Sequence, residues 1–352
     1  MKYITGDEWL KVIGYWFMVI GLMLIAGCSS DSSGEQQTNN NQVLHITAYT
    51  TSYQDIAASR RAAPSGFTIY APTTDFSVGL FMMSSETPTP SVQYIRRSNN
   101  TWHSSILVKG GVGYEIYGFM PRFDGMTPTI SKTDGSVTMT LPNIDAVSAQ
   151  DVCVITGVSD ATANVTPVEG SFAYTGRSDV NNINVLMDHL FAAVSFNFSV
   201  NENFNNLRKI KLKKLELQAT NEKVTATVTL TSNNPGASPV TAVSYTTSGT
   251  DEAKATFFES EAGEQLPIAN IKDYLCYFAP TLSNGEKLTL LSTYDVYDRT
   301  GTKLIRKGCT ATNKVPNLYT SRGERVTVNL TVNPTYIYQL SDADLDNLFT
   351  IE

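Results

Sequence analysis

The sequence predicts an all-β protein built as two tandem antiparallel β-sandwich domains. After residue 42 the apolar positions recur mostly at every second residue, and β-branched and aromatic side chains fill many of them, as half-buried strands require. Clusters of Gly, Asn, Asp and Pro interrupt these runs at short intervals. No segment longer than about ten residues carries a clean helical stripe.

The expected strands follow in order. Residues 43–50 (VLHITAYT) alternate, and so do 66–70, 76–83, 91–96, 104–108, 114–119, 136–141 and 151–155. Turn sequences separate them: PTTD at 72–75, SNN at 98–100, KGGVG at 109–113 and TDGS at 133–136. A second series begins near Val185 and contains 191–200, 207–218, 223–230, 240–246, 275–278, 287–297, 303–306 and 324–332. The pattern is weakest over 171–184, which places the domain boundary there: 43–177 for the first sandwich, 178–352 for the second. Residues 186–193 leave room for one short helical turn. In 207–217 (LRKIKLKKLEL) apolar and charged residues largely alternate from Ile210 onward, so one face belongs in the core and the other in water. A sheet edge, where lysines discourage stray pairing, is one setting for it; a patch for an anionic glycan or surface is the other reading.

With 352 residues, each of two domains can bury a real core. A composition of 41% hydrophobic and 17% charged residues is that of a globular chain and excludes a mainly disordered one. The net charge of −7 argues against a dedicated nucleic-acid binder, which needs a basic face.

The N-terminus decides the compartment. Behind Lys2 and Lys11, residues 12–26 (VIGYWFMVIGLMLIA) form an apolar run. It is shorter than the roughly 20 residues of a bilayer span and suits the hydrophobic part of a signal peptide. The run closes on Ala26-Gly27 and then Cys28. Small residues ahead of a Cys in this setting resemble the bacterial lipobox. That resemblance implies a signal peptide over 1–27, cleavage between Gly27 and Cys28, and acyl chains, palmitate among them, on Cys28. Several acyl chains hold a protein on a bilayer far better than one. Removing 1–27 takes away two basic and two acidic residues, leaving 24 against 31 and again −7. Residues 28–42 (CSSDSSGEQQTNNNQ) are polar and small, a flexible tether. Of the remaining Cys153, Cys276 and Cys309, an odd number, at least one is expected to be a buried thiol, and Cys276 and Cys309 are candidates for a disulfide.

Several phrases resemble the fimbrillin family of Bacteroidales, the type V pilins and their relatives. The first is a strand followed by Ser59-Arg60-Arg61-Ala62-Ala63, then FTIY at 67–70 and FSVGLF at 76–81. The second is YEIYGFMP at 114–121, and the third LMDHLFAAV at 186–194. With the lipobox they cover residues 1 to about 200; beyond that the likeness is one of β character only. The resemblance implies Greek-key, transthyretin-like sandwiches and a lipoprotein exported to the outer membrane. It further implies a trypsin-like protease cutting after an Arg behind the first strand. Carried over, the cut falls between Arg61 and Ala62, with Arg60 as the near alternative, and residues 43–50 are the lost strand. A strand from a neighbouring subunit then fills the groove, the subunits polymerise into a fimbria, and the fimbria serves cell adhesion. Residues 51–65 (TSYQDIAASRRAAPS) are small, polar and basic with a proline, a loop a protease can enter. Removing eight residues of strand bares about 26 Å of sheet edge, which favours a replacement strand. The tail 335–352 (TYIYQLSDADLDNLFTIE) is the candidate donor, although Ser341 to Asp344 resembles a helix N-cap with an acidic first turn.

Enzyme chemistry finds little support. The three histidines, His45, His103 and His189, show no metal-ligand spacing, and there is neither a G-x-S-x-G elbow nor a P-loop. His189, set among apolar residues, is expected to be a hydrogen-bonded structural histidine. No cofactor or metal is expected. The rival reading is a non-polymerising surface lipoprotein that binds glycan or protein, with Tyr70, Trp102, Tyr114 and Tyr117 as candidate stacking residues, or an anchor or tip subunit of the fimbria.

Overall fold

The computed structural model describes residues 41–55, 67–70, 72, 74–164, 166–231, 234–269, 272–282, 287–315, 318 and 320–333. The fold is all-β, with stacked and largely antiparallel sheets.

The largest sheet has ten strands. Its main path runs Thr68–Ile69, Asn41–Thr50, Asn181–His189, Cys153–Asp160, Gly113–Met120, Phe76–Met83, Gln93–Ser98 and Thr101–His103, with Leu107–Lys109 and Ala173–Thr175 on its flanks. A four-stranded sheet, in the order Val240–Ser248, Lys223–Thr231, Ser136–Asp145 and Thr129–Thr133, packs on it. Phe81, Tyr117 and Phe119 of the first sheet share one core with Val137, Met139, Leu141, Val224 and Val228 of the second. Tyr245 donates to the Leu190 carbonyl, and Lys132 pairs with Glu115 at 2.7 Å, across the two layers.

The second pair of layers joins a five-stranded sheet to a four-stranded one. The former runs Val147–Ser148, Lys272–Phe278, Ala192–Val200, Glu324–Val332 and Gln54–Asp55. The latter runs Ala253–Gln265, Lys209–Ala219, Leu288–Tyr297 and Leu304–Lys314. Stacked rings of Phe196 and Phe257, with centroids 5.7 Å apart, tie the two faces together.

The expected boundary at 177 does not coincide with the division into sheets. Asn181–His189 lies beyond it yet is an inner strand of the first sheet, and the hairpin Lys223–Ser248 returns to pair with Ser136–Asp145. The helical turn allowed over 186–193 is also corrected. Asn181–His189 is a strand buried on both faces, so its apolar residues run together without a period of two. The lysine-rich strand Lys209–Ala219 is internal, between Ala253–Gln265 and Leu288–Tyr297, not at an edge. Ile210, Leu212, Leu215 and Leu217 enter the core while Lys211 lies over the Tyr297 ring. Its first expected residue, Leu207, instead ends a short helix, Glu202–Leu207, capped by Asn201.

Candidate functional site

The expected leading strand is Asn41–Thr50, two residues longer at its start than the alternation suggests. Leu44, Ile46 and Ala48 are buried in a second cluster of the largest sheet, with Val78, Leu80, Ile155, Ile183 and Val185, and His45 between Leu44 and Ile46 is exposed. The strand runs parallel to Asn181–His189 through seven paired residues, from Leu44 opposite Asn181 to Thr50 opposite Met187. Among the described residues its other edge is held in pieces. Asn41–Val43 faces Lys109–Leu107, and Tyr49–Thr50 faces Ile69–Thr68, with single backbone bonds from Leu44 to Ile106 and from Tyr70 to Ala48 between them. One long pairing and three buried side chains therefore carry most of the attachment.

Past Thr50 the chain enters a buried polar cluster. Tyr53 donates its hydroxyl proton to Asp151 Oδ1 at 2.6 Å. His189 Nδ1 donates to Asp151 Oδ2 at 2.8 Å, and His189 Nε2 donates to the Thr51 carbonyl at 2.9 Å. Both acceptors lack protons to give, so both ring nitrogens carry one. The ion pair is almost solvent-free: the side chains of His189 and Asp151 are each 3% exposed. Burial alone lowers the His189 pKa, but the charge and hydrogen bond of Asp151, the Thr51 carbonyl and Asp188 outweigh it and raise it above the ordinary value. Burial, then Asp151, lifts the Tyr53 hydroxyl well above its ordinary value, keeping it a donor. Arg322 closes the floor, donating to Asp188 Oδ2 at 2.7 Å and to the His189 carbonyl at 3.0 Å.

Two residues further, Gln54–Asp55 adds to the outer edge of Glu324–Val332, again in parallel. Arg325 grips the Asp55 carboxylate through both oxygens, at 2.6 and 2.9 Å, and that hydrogen bonding holds Asp55 below the usual carboxylate range. The leading segment thus runs along one edge of the first sheet, through the polar cluster, and onto an edge of the second pair of layers.

Gly27, Cys28, Arg60, Arg61, Ala62 and the tail 335–352 lie outside the described residues. The nearest described residues on either side of Arg60 and Arg61 are Asp55, at the Arg325 pair, and Phe67, which is exposed. The proposed stacking residues do not make one platform. Tyr117 is fully buried against Phe172, Tyr70 and Trp102 pack edge-on to Phe76, and the Tyr114 hydroxyl accepts from the Lys109 backbone. In a depression of about 500 Å³ beside Tyr114 and Tyr174, Lys132 pairs with Glu115 and Tyr174 with Asn181.

Cys153, Cys276 and Cys309 are buried and in no disulfide, so the candidate Cys276–Cys309 bridge is not formed. Cys276 donates to the Ser148 carbonyl at 3.3 Å, and burial pushes its pKa up. Ligand-type atoms of Asp151, Cys153 and His189 fall within 4.8 Å of one another. Both imidazole nitrogens are engaged as donors there, which suits a hydrogen-bonded network rather than a metal centre. Sequence alone singled out His189 but not Asp151 or Tyr53; a histidine inside an apolar run signals that partners must exist, not which ones.

No protein-family model matches the chain, and no curated protein does. Solved structures are similar to it. One is a fimbrial protein from Bacteroides vulgatus, 12% identical, with a TM-score of 0.33, covering 83% of this chain and 96% of that one. Another is the fimbrial anchor protein Mfa2 from Porphyromonas gingivalis, 10% identical, with a TM-score of 0.26, covering 81% and 90%. At these values the function rests on the residues of the chain itself.

Proposed function

We propose that this chain is the precursor of a subunit of a surface fimbria with a role in cell adhesion. In this reading it is exported as a lipoprotein, acylated on Cys28 and carried to the outer membrane. A trypsin-like protease then cuts after Arg61, the leading segment leaves, and a strand of another subunit takes its place. The observation that carries the reading is the attachment of Asn41–Thr50. It is held by one long pairing, and it plugs the core with Leu44, Ile46 and Ala48. Its departure would leave a bare strand edge beside an open apolar groove, and both favour a replacement strand.

Limited trypsin treatment of outer-membrane preparations, which hold this lipoprotein beside other subunits, should clip it after Arg61 and give ladders of multimers on unheated gels. The double variant Arg60→Ala, Arg61→Ala should give no ladder. A ladder that persists in the double variant, or clipped protein that stays monomeric, contradicts the reading. A second reading, an anchor subunit that keeps its leading strand, is favoured by the buried bonds from Tyr53 and Thr51 to Asp151 and His189.

A further inference from the structure

The Asp151–His189 pair has two bonding positions that its own members do not fill. Asp151 Oδ1 is an acceptor, and His189 Nε2 carries a proton. Both are now met by the leading segment, the first by the Tyr53 hydroxyl and the second by the Thr51 carbonyl. The Tyr53 ring also covers His189, with centroids 3.8 Å apart. When that segment leaves, a carboxylate oxygen and an N–H that it keeps from water lose their partners. Such groups are costly to leave unmatched, and more so when they are charged.

Resting on the reading of the vacated groove as a strand acceptor, we propose that Asp151 and His189 form a tyrosine socket that selects the incoming strand and fixes its register. The occupant, running parallel to Asn181–His189, brings a tyrosine for Asp151 and a backbone carbonyl two residues earlier for His189. It also brings apolar residues nine and seven positions before the tyrosine and a small one five before it, as Leu44, Ile46 and Ala48 stand to Tyr53. A strand slipped by one residue would turn its apolar side chains out of the core and leave the pair unmatched.

The socket argues against a copy of this chain's own tail as the occupant. The tail's only tyrosines are Tyr336 and Tyr338. With Tyr336 in the socket the three apolar places fall to Thr327, Asn329 and Thr331; with Tyr338 they fall to Asn329, Thr331 and Asn333. All are polar, and all but Asn333 belong to the strand Glu324–Val332 of the donor's own body. The partner is therefore a subunit of different sequence, presenting an extended strand with the pattern apolar-x-apolar-x-small-x-x-x-x-Tyr.

The test uses the mature chain nicked after Arg61 and three fluorescent peptides: residues 41–55, the same peptide with Tyr53→Phe, and residues 334–352. Uptake is read by fluorescence anisotropy. The first peptide should exchange into the nicked protein, the Phe form should bind about tenfold more weakly, and the tail peptide should not be taken up. Equal binding of the Tyr and Phe forms, uptake of the tail peptide, or uptake of none overturns the socket. Socket and subunit reading fail separately. Peptide selection without gel ladders sinks the subunit reading and leaves the socket standing; ladders with uptake of the tail peptide do the reverse.

Discussion

The ring of Tyr53 lies nearly flat on that of His189, with centroids 3.8 Å apart and planes 27° from parallel. Tyr53 belongs to the piece of chain ahead of Arg61, and His189 closes a central strand of the largest sheet. One aromatic stack thus joins the segment proposed to leave to the body proposed to stay. Asp151 binds both residues, so the stack and two hydrogen bonds act as one unit.

The buried residues of the leading strand should behave as core. Replacing Leu44 with Ala should cost about 2–5 kcal/mol in urea unfolding of the intact chain, the range for emptying a buried leucine site. A loss below about 1 kcal/mol would show that the strand is a loose appendage.

His189 gives a signed dependence on pH. Its folded-state pKa is raised, so its contribution to stability is complete below the unfolded value of about 6.5 and is lost as pH climbs through the folded value. The groups facing it are Thr51, Tyr53, Asp151, Cys153, Asp188 and Arg322. The stability of the wild type minus that of His189→Gln should therefore shrink as pH rises above about 6.5. A difference that stays flat, or grows with pH, contradicts the assignment.

Gly118 marks a close approach of two strands. A methyl group there would meet the Gly79 carbonyl oxygen and the Ile155 side chain. Because backbone cannot swing aside, Gly118→Ala should lower stability by about 1–3 kcal/mol. An unchanged urea midpoint would mean that Phe76–Met83 and Gly113–Met120 leave room for a methyl group between them.

The thiols offer a chemical check. Cys153, Cys276 and Cys309 should resist an aqueous thiol reagent in the native protein and all react once it is unfolded without reductant. Recovery of only one reactive thiol from these three would reveal a disulfide.

Much of the strand pattern was legible because one-sided burial writes itself as alternation. Leu44, Ile46 and Ala48 show this, as do Val224, Ala226, Val228 and Leu230. Asn181–His189 was not legible, since burial on both faces erases the period and its asparagines resemble a linker. Ala253–Gln265 was missed for the opposite reason. Its outer face is charged and its pairing with Lys209–Ala219 is broken by register shifts, so no clean repeat survives. The polar cluster is assembled from residues 38 and 138 positions apart, His189 with Asp151 and with Thr51, and local sequence carries no trace of such distances.

The central claim is that the leading segment is excised in the assembled protein. N-terminal sequencing of fimbrial material shed from the cell surface tests it most directly. The account predicts subunits that begin at Ala62; subunits that all still begin at the acylated Cys28 would contradict it.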